Sequence, residues 1–150
     1  MLPRVEYSVR VQAPVEAAFE AFQDFERLLN RGVYTEVSWI EGDPWQVGSR
    51  IRYVAIQPVR ATVSAVVTSI NPPHTISLLN HALGITMEQH VYFAADPKGG
   101  SQVRMTMEFL GESAELSQSE VHDAIVFVTH DTLDNLASVC RRRASSASGQ

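Results

Sequence analysis

The residue types that most readily do chemistry in this 150-residue chain are five histidines and one cysteine. A zinc site would need paired cysteines or histidines at spacings such as His-x-x-x-His or His-Glu-x-x-His, and neither spacing occurs. The chain also lacks a Gly-x-Ser-x-Gly nucleophile motif and a glycine-rich phosphate loop that opens a helix. We therefore predict neither a metal nor a cofactor. The residues concerned are His74, His81, His90, His122, His130 and Cys140.

His122 is the histidine whose position best suits acid–base chemistry. It falls at the edge of the apolar stripe of a long predicted helix, one turn before Ile125 and two turns before Thr129. Because an imidazole titrates near neutral pH, a histidine that faces a cavity mouth suits the role of a general base. The alternative is a half-exposed histidine on the flank of the helix with no role.

Polar side chains on otherwise apolar strand faces give a second indication. Tyr53 and Gln89 alternate in phase with apolar neighbours, and Asn80 is a further candidate. A buried polar group needs a partner, which is another side chain in a filled core but water or a ligand in a cavity. Both alternatives stay open for each residue. The remaining candidate ligand contacts are a tryptophan at the mouth, three adaptable methionines and two residues of the long helix: Trp39, Met87, Met105, Met107, Ile125 and Thr129.

Seven strands are predicted to position these side chains. Apolar residues alternate with polar ones from Val5 to Val11, which is typical of a strand with one buried face. Turn residues punctuate the later segments at short intervals, and short connections favour antiparallel hairpins. The inward residues of two segments, 60–70 and 74–82, cannot be assigned because both of their faces are mixed. The later predicted strands are 34–41, 49–57, 60–70, 74–82, 85–94 and 102–110.

Three helices are predicted from 3.6-residue periodicity. Apolar residues from Val15 to Phe25 recur at helical spacing, and a second short helix over 24–30 ends at Gly32. The long helix covers 117–143 and starts with a Ser-x-x-Glu capping box at Ser117 and Glu120. Residues 144–150 are small and polar, so we predict a disordered tail after a single domain over 1–143.

This order of elements predicts an α+β fold with a curved antiparallel sheet. The long helix is the only predicted element large enough to cover the apolar face of seven strands. If the sheet curls around the helix, the two cannot touch along their whole lengths, and an apolar cavity remains between them. The two short helices lie between the first and second strands.

Composition narrows the classes of partner. Apolar residues make up 45% of the chain, and the formal net charge of −5 disfavours nucleic acid, whose phosphates need a basic surface. The N-terminus lacks a signal-peptide core, no segment is apolar over the length needed to cross a membrane, and the one cysteine cannot form an internal disulfide. We predict a cytoplasmic protein without membrane insertion.

Four local motifs resemble a known family. They are Ala-Pro-Val-Glu-Ala-Ala-Phe at 13–19, Val-Gly-Ser at 47–49, Ile-Asn-Pro-Pro-His-Thr-Ile at 70–76 and Leu-Asp-Asn-Leu at 133–136. In this order they resemble the START-like superfamily, also called SRPBCC or Bet v 1-like, and within it the bacterial polyketide cyclase/dehydrase-type group. The resemblance implies the helix-grip fold. It does not imply one function, because the superfamily includes lipid carriers, aromatase/cyclases, ring-hydroxylase subunits and chaperone activators. Many members carry a tryptophan where this chain has residues 30–34, so the cavity entrance is expected to differ.

Two functional hypotheses follow. The first is a module that binds a small hydrophobic molecule (lipid-like, aromatic or polyketide-like) in the internal cavity. The second is a cyclase, dehydratase or isomerase that acts on such a molecule by proton transfer, with His122 as the base and Tyr53 or Gln89 orienting a carbonyl.

Phe127 bears on the oligomeric state. It falls on the charged side of the long helix, where an aromatic residue is costly to leave in water. It therefore indicates either a homodimer contact or packing beneath another element of the same chain. A monomer and a homodimer both stay open.

Overall fold

The computed structural model describes residues 4–29, 33–57, 60–110 and 117–148. Seven strands and three helices follow one another in this part of the chain. They are β1 Arg4–Val11, α1 Val15–Gln23, α2 Phe25–Leu29, β2 Tyr34–Glu41, β3 Arg50–Ala55, β4 Ala61–Asn71, β5 Thr75–Ala82, β6 Ile85–Ala95, β7 Ser101–Phe109 and α3 Gln118–Ser148. Predicted and observed element bounds differ by at most two residues, except at the end of α3. The predicted stop of the second helix at Gly32 lies outside the described residues.

The strands form one antiparallel sheet in the order β1-β7-β6-β5-β4-β3-β2. Strands β2 to β7 are neighbours in chain order, which confirms the predicted meander. The first strand then pairs with the last, so that Val5 lies opposite Met107 and Val11 opposite Ser101. Strands β1 and β2 are therefore the two edges of the sheet, and α1 and α2 connect one edge to the other.

Period-two burial defines the inner face of the sheet. Every second residue of β6 is buried from Ile85 to Phe93. The same pattern assigns the inner faces of the two strands whose sequences are mixed, because each is fixed by pairing with its neighbours. The inward residues of β4 and β5 are Val63, Ala65, Val67, Ile76, Leu78 and Asn80.

Helix α3 packs on this inner face against β1 and β7 and also contacts α1 and α2. Its predicted apolar stripe is confirmed, and Leu133 and Leu136 are completely buried. Cys140 is a buried free thiol near the end of the helix. The helix-grip architecture predicted for the chain is thus confirmed, with the short helices between the first two strands.

The end of α3 corrects one prediction. The helix continues to Ser148, so the disordered tail predicted for 144–150 is wrong for residues 144–148. Only alanine and serine occupy these five positions, and no glycine or proline interrupts the helix before Gly149. Residues 149–150 lie outside the described part of the chain.

The start of α3 has the predicted capping box. The Glu120 amide donates to Ser117 Oγ at 3.2 Å, and the Ser117 amide donates to Glu120 Oε1 at 3.2 Å. We expect Ser117→Ala to lower the free energy of unfolding by about 1 kcal/mol, since an amide at the helix start loses its acceptor. Urea denaturation measures this loss. The control is Ser138→Ala within the same helix, which should be neutral or stabilising because alanine has the higher helix propensity. Equal losses in the two variants would contradict the capping role.

Candidate functional site

Two adjoining chambers lie between α3 and the inner face of the sheet. The outer chamber, of about 80 Å³, lies near the start of α3 and is lined by fourteen residues. The inner chamber, of about 30 Å³, lies deeper along the helix. Tyr34, Tyr53, Met107 and Val128 line both, so these four residues form the neck between them. The outer chamber reaches the surface beside the exposed Gln57.

Eight of the ten residues predicted as ligand contacts line these chambers. Asn80, Met87 and Ile125 line the outer chamber, and Gln89, Met105 and Thr129 line the inner one. Tyr53 and Met107 belong to the neck. The fold thus brings together residues that lie on four strands and a helix, and their contact with a ligand stays a prediction.

His122 lies outside both chambers, contrary to prediction. Its side chain is 45% exposed, and its Nδ1 lies 3.4 Å from the carboxylate of the exposed Asp123. The helical turn at this point directs Val121 into the core and Ala124 and Ile125 into the outer chamber. His122 is therefore rotated away from the cavity on the flank of the helix, where a base could not reach a ligand inside.

Trp39 also lies outside the chambers. Its ring packs against the buried Trp45 with the ring centroids 5.1 Å apart, and the Trp45 indole donates to the Gln23 carbonyl at 2.6 Å. The pairing of β2 with β3 shifts register between Thr35 and Ser38 and again between Trp39 and Glu41. Glu36, within the first shift, has a positive φ of 56°. The inward residues Tyr34 and Val37 are consequently three apart, so simple alternation does not hold in this strand.

Five residues that line the inner chamber were not predicted as ligand contacts: Phe25, Leu29, Tyr34, Val128 and Thr132. Val128 and Thr132 belong to the apolar stripe of α3, and the stripe could have predicted that they face the chambers. Tyr34 had no comparable signal, because the irregularity of β2 conceals which way its first residue points.

A short chain of side-chain hydrogen bonds runs along the sheet, from Asn80 of the outer chamber to Gln89 and Met105 of the inner one. Asn80 Nδ2 donates to Gln89 Oε1 at 3.0 Å, and Gln89 Nε2 donates to the sulfur of Met105 at 3.4 Å. Asn80 thus has a side-chain partner. The Gln89 amide, by contrast, donates to a thioether, which is a weak acceptor.

Thr129 and Thr132 differ in how their hydroxyls are satisfied. Thr132 Oγ1 donates to the carbonyl of Val128 at 2.8 Å, one turn earlier in the helix. Thr129 Oγ1 is buried without a hydrogen-bond partner among the described residues. An unpaired buried hydroxyl is destabilising, so Thr129 is a site where a further group can be accommodated favourably.

None of the described residues that line the chambers carries a charged side chain. Burial raises the pKa of Tyr53 well above its usual range. Burial also raises the pKa of Tyr34, with a further contribution from the nearby Tyr53 and a partial opposing effect of Thr132. Both phenols therefore remain protonated near neutral pH, so they can donate a hydrogen bond but do not serve as bases.

Two further properties concern the described residues as a whole. No group of three or more His, Cys, Asp or Glu side chains in the described ranges is arranged to hold a metal ion. None of the described helices is long and apolar enough to cross a membrane.

A seven-stranded antiparallel sheet that curls around a long C-terminal helix, with an apolar cavity between them, defines a START-like protein of the SRPBCC superfamily. Comparison with known sequences is more specific. The model of the family described as polyketide cyclase/dehydrase and lipid transport matches residues 3–141. The chain therefore belongs to this family. No curated protein matches the chain in sequence.

Solved structures share the fold at low sequence identity. The Zhui aromatase/cyclase from Streptomyces sp. R1128 is 16% identical, with a TM-score of 0.83 and coverage of 98% of each chain. TTHA0849 from Thermus thermophilus is 14% identical, with a TM-score of 0.77 over 95% of this chain and 100% of its own. Ara h 8.0201 is 15% identical, with a TM-score of 0.76 over 93% of this chain and 98% of its own.

Proposed function

We propose that this protein binds a small hydrophobic molecule, which is lipid-like, aromatic or polyketide-like, in the chambers between the sheet and α3. The observation that carries the proposal is the pair of adjoining uncharged chambers inside the hydrophobic core. Protein interiors normally fill such space, because side chains that line a void lose their packing contacts. An apolar ligand would restore those contacts.

The size of the chambers constrains the ligand. Their volumes of about 80 and 30 Å³ are well below the roughly 300–1,000 Å³ of pockets that hold drug-sized molecules. A molecule with one ring or a short chain fits with the least rearrangement. A larger one requires the walls to move, and Met87, Met105 and Met107 are the residues best able to do so because methionine is unbranched and adapts its shape.

The comparisons support this proposal at the level of class. The description of the family includes lipid transport, and one structural neighbour is an aromatase/cyclase. A lipid is largely apolar, which agrees with the uncharged lining of the chambers. A common fold does not transfer a reaction, since the chemistry depends on the residues of each site.

Catalysis by proton transfer has weaker support in this chain. The predicted base, His122, lies on the surface of α3, and the phenols of Tyr34 and Tyr53 have pKa values raised by burial. None of the described residues that line the chambers is a carboxylate, a histidine or a lysine. Binding is therefore the function that we propose.

The proposal is tested first by detecting a bound ligand and then by filling the outer chamber. Native mass spectrometry of the purified protein should reveal a small-molecule adduct, and a panel of lipids and aromatic compounds should identify one that raises the melting temperature. At a ligand concentration 100-fold above Kd, the free energy of unfolding rises by about 3 kcal/mol, which raises the melting temperature by about 5–10 °C for a chain of this size.

Ala124→Leu places a larger side chain in the outer chamber, and we expect it to remove most of this shift in melting temperature.

The matched control is Asp123→Leu, which adds the same side chain at the adjacent position, where the residue faces solvent. It should keep the ligand-induced shift. A panel in which no lipid, aromatic or polyketide-like compound shifts the melting temperature of the wild type would refute the proposed function. Equal loss in both variants would place the ligand outside the chambers.

A further inference from the structure

The hydroxyl of Thr129 is the most unusual polar group in the core. The residue is 1% exposed, it lines the inner chamber, and its Oγ1 has no hydrogen-bond partner among the described residues. A helical threonine usually can donate to a carbonyl one turn earlier, as Thr132 does to Val128. Thr129 does not use this option, so its hydroxyl is available to an occupant of the chamber.

A second donor faces the same space from the sheet. Gln89 lines the inner chamber, and its Oε1 already accepts a hydrogen bond from Asn80. Its Nε2 donates to the Met105 sulfur at 3.4 Å, which is a weak interaction that a better acceptor would replace. The inner chamber thus has an O–H donor on its helix wall and an N–H donor on its sheet wall.

The absence of charge selects the kind of acceptor. The described residues that line the inner chamber include no cation to pair with a carboxylate or a phosphate. Burying an unpaired anion there would cost far more than a hydrogen bond returns. A carbonyl oxygen accepts from both donors and carries no net charge, so it fits the chamber.

We propose that the inner chamber is a subsite for one uncharged carbonyl oxygen of the ligand, with Thr129 and Gln89 as its specificity-determining contacts. This inference rests on the proposed function and adds to it the ligand class, an apolar ketone, aldehyde or ester. The ligand enters with its oxygen first, and its apolar body occupies the outer chamber.

Acetophenone and ethylbenzene form a matched pair of probes, because they have nearly the same shape and differ in a carbonyl against a methylene group. Their Kd values are measured by NMR titration of the wild-type protein and of Thr129→Val. Comparing variant with wild type for each probe cancels the different hydration of the two probes. We expect Thr129→Val to weaken acetophenone about fivefold to tenfold, the value of one hydrogen bond, and to leave ethylbenzene within about twofold.

Three further measurements make the result specific. Thr129→Ser retains the hydroxyl and should retain the acetophenone affinity within about twofold. Thr106→Val changes a buried threonine on the opposite face of β7, since its neighbours Met105 and Met107 line the chambers. It should leave the affinities for both probes unchanged. Benzoate should bind the wild type at least tenfold more weakly than acetophenone, because its charge has no partner in the chamber.

The outcomes separate this inference from the proposed function. If both aromatic probes bind and Thr129→Val changes their affinities equally, the chambers bind ligand but the carbonyl subsite is wrong, as when a bound water satisfies Thr129. Tight binding of benzoate would also overturn the subsite. If neither aromatic probe nor any compound of the wider panel binds, the proposed function fails, and the subsite fails with it.

Discussion

Replacing Phe22 with alanine is expected to lower the free energy of unfolding by about 3–5 kcal/mol and the melting temperature by about 10–15 °C. Phe22 is completely buried at the centre of an aromatic cluster. Its ring centroid lies 5.4 Å from that of Phe25, 5.8 Å from Phe93 and 6.1 Å from Trp45. Alanine would leave a void that these large, mutually packed rings cannot close. Urea and thermal denaturation measure the loss.

Phe127→Ala is the matched control. Phe127 is 40% exposed on the outer face of α3, beside Asp123 and Asp131, so truncation should change the free energy of unfolding by no more than about 0.5 kcal/mol. A loss comparable to that of Phe22→Ala would show that Phe127 is part of the folded core. Sedimentation of the same variant tests the homodimer, since a dimer that uses this face would shift toward monomer.

The second large effect is a loss of stability in alkaline solution. Burial raises the pKa of Tyr34 and Tyr53 in the folded protein, whereas an unfolded tyrosine titrates near pH 10. Below pH 10 both states are protonated, and the stabilisation is fully present. Above pH 10 the unfolded chain loses these protons first, so the free energy of unfolding falls as the pH rises toward the folded pKa values. Each tyrosine that ionises only in the unfolded chain contributes a slope of at most about 1.4 kcal/mol per pH unit.

Urea denaturation at pH 9, 10, 11 and 12 measures this slope. The Tyr34→Phe/Tyr53→Phe double variant lacks both ionisable groups and should show a markedly shallower decline than the wild type. Each single variant should lie between the two. A double variant that declines as steeply as the wild type would show that ionisation elsewhere, for example of the buried Cys140 thiol, dominates the alkaline transition.

The architecture was predictable because two strong periodicities agree with it. Apolar and polar residues alternate in β1, β6 and β7, which identifies the buried face of each strand. The apolar stripe of α3 identifies the buried face of the helix. Few arrangements of the sheet and the helix bury all of these faces against one another. The same reasoning located most of the chamber lining. Met87, Gln89, Met105 and Met107 alternate along their strands, and β6 and β7 have regular register. The orientation of one residue therefore fixes that of the others.

The predictions that were wrong depended on local geometry that the sequence does not encode in a simple period. His122 lies at the margin of the apolar stripe of α3. Successive residues of a helix differ by about 100° in direction, so a smaller rotation of the helix decides whether such a residue faces the cavity or solvent. Trp39 and Tyr34 lie in β2, whose register shifts change the face that each residue occupies. Residues 144–148 are only alanine and serine, and a run of these two types has no apolar period that would have predicted the continuation of α3. A cytoplasmic location and the oligomeric state stay predictions.

The pairing of β1 with β7 has a consequence for how this protein is made. Arg4 pairs with Glu108, 104 positions later, and Val11 pairs with Ser101, 90 positions later. A ribosome that adds about 5–20 residues per second needs roughly 5–20 s to supply the partner strand after β1 has emerged. During that interval a half-apolar strand has no native hydrogen-bonding partner, and such unpaired strands readily join other chains. Pairings so distant in sequence also slow folding itself, since a long loop must close before any contact is gained. The nascent chain is therefore most vulnerable to aggregation before β7 is complete, and chaperone binding to β1 would protect it over that time.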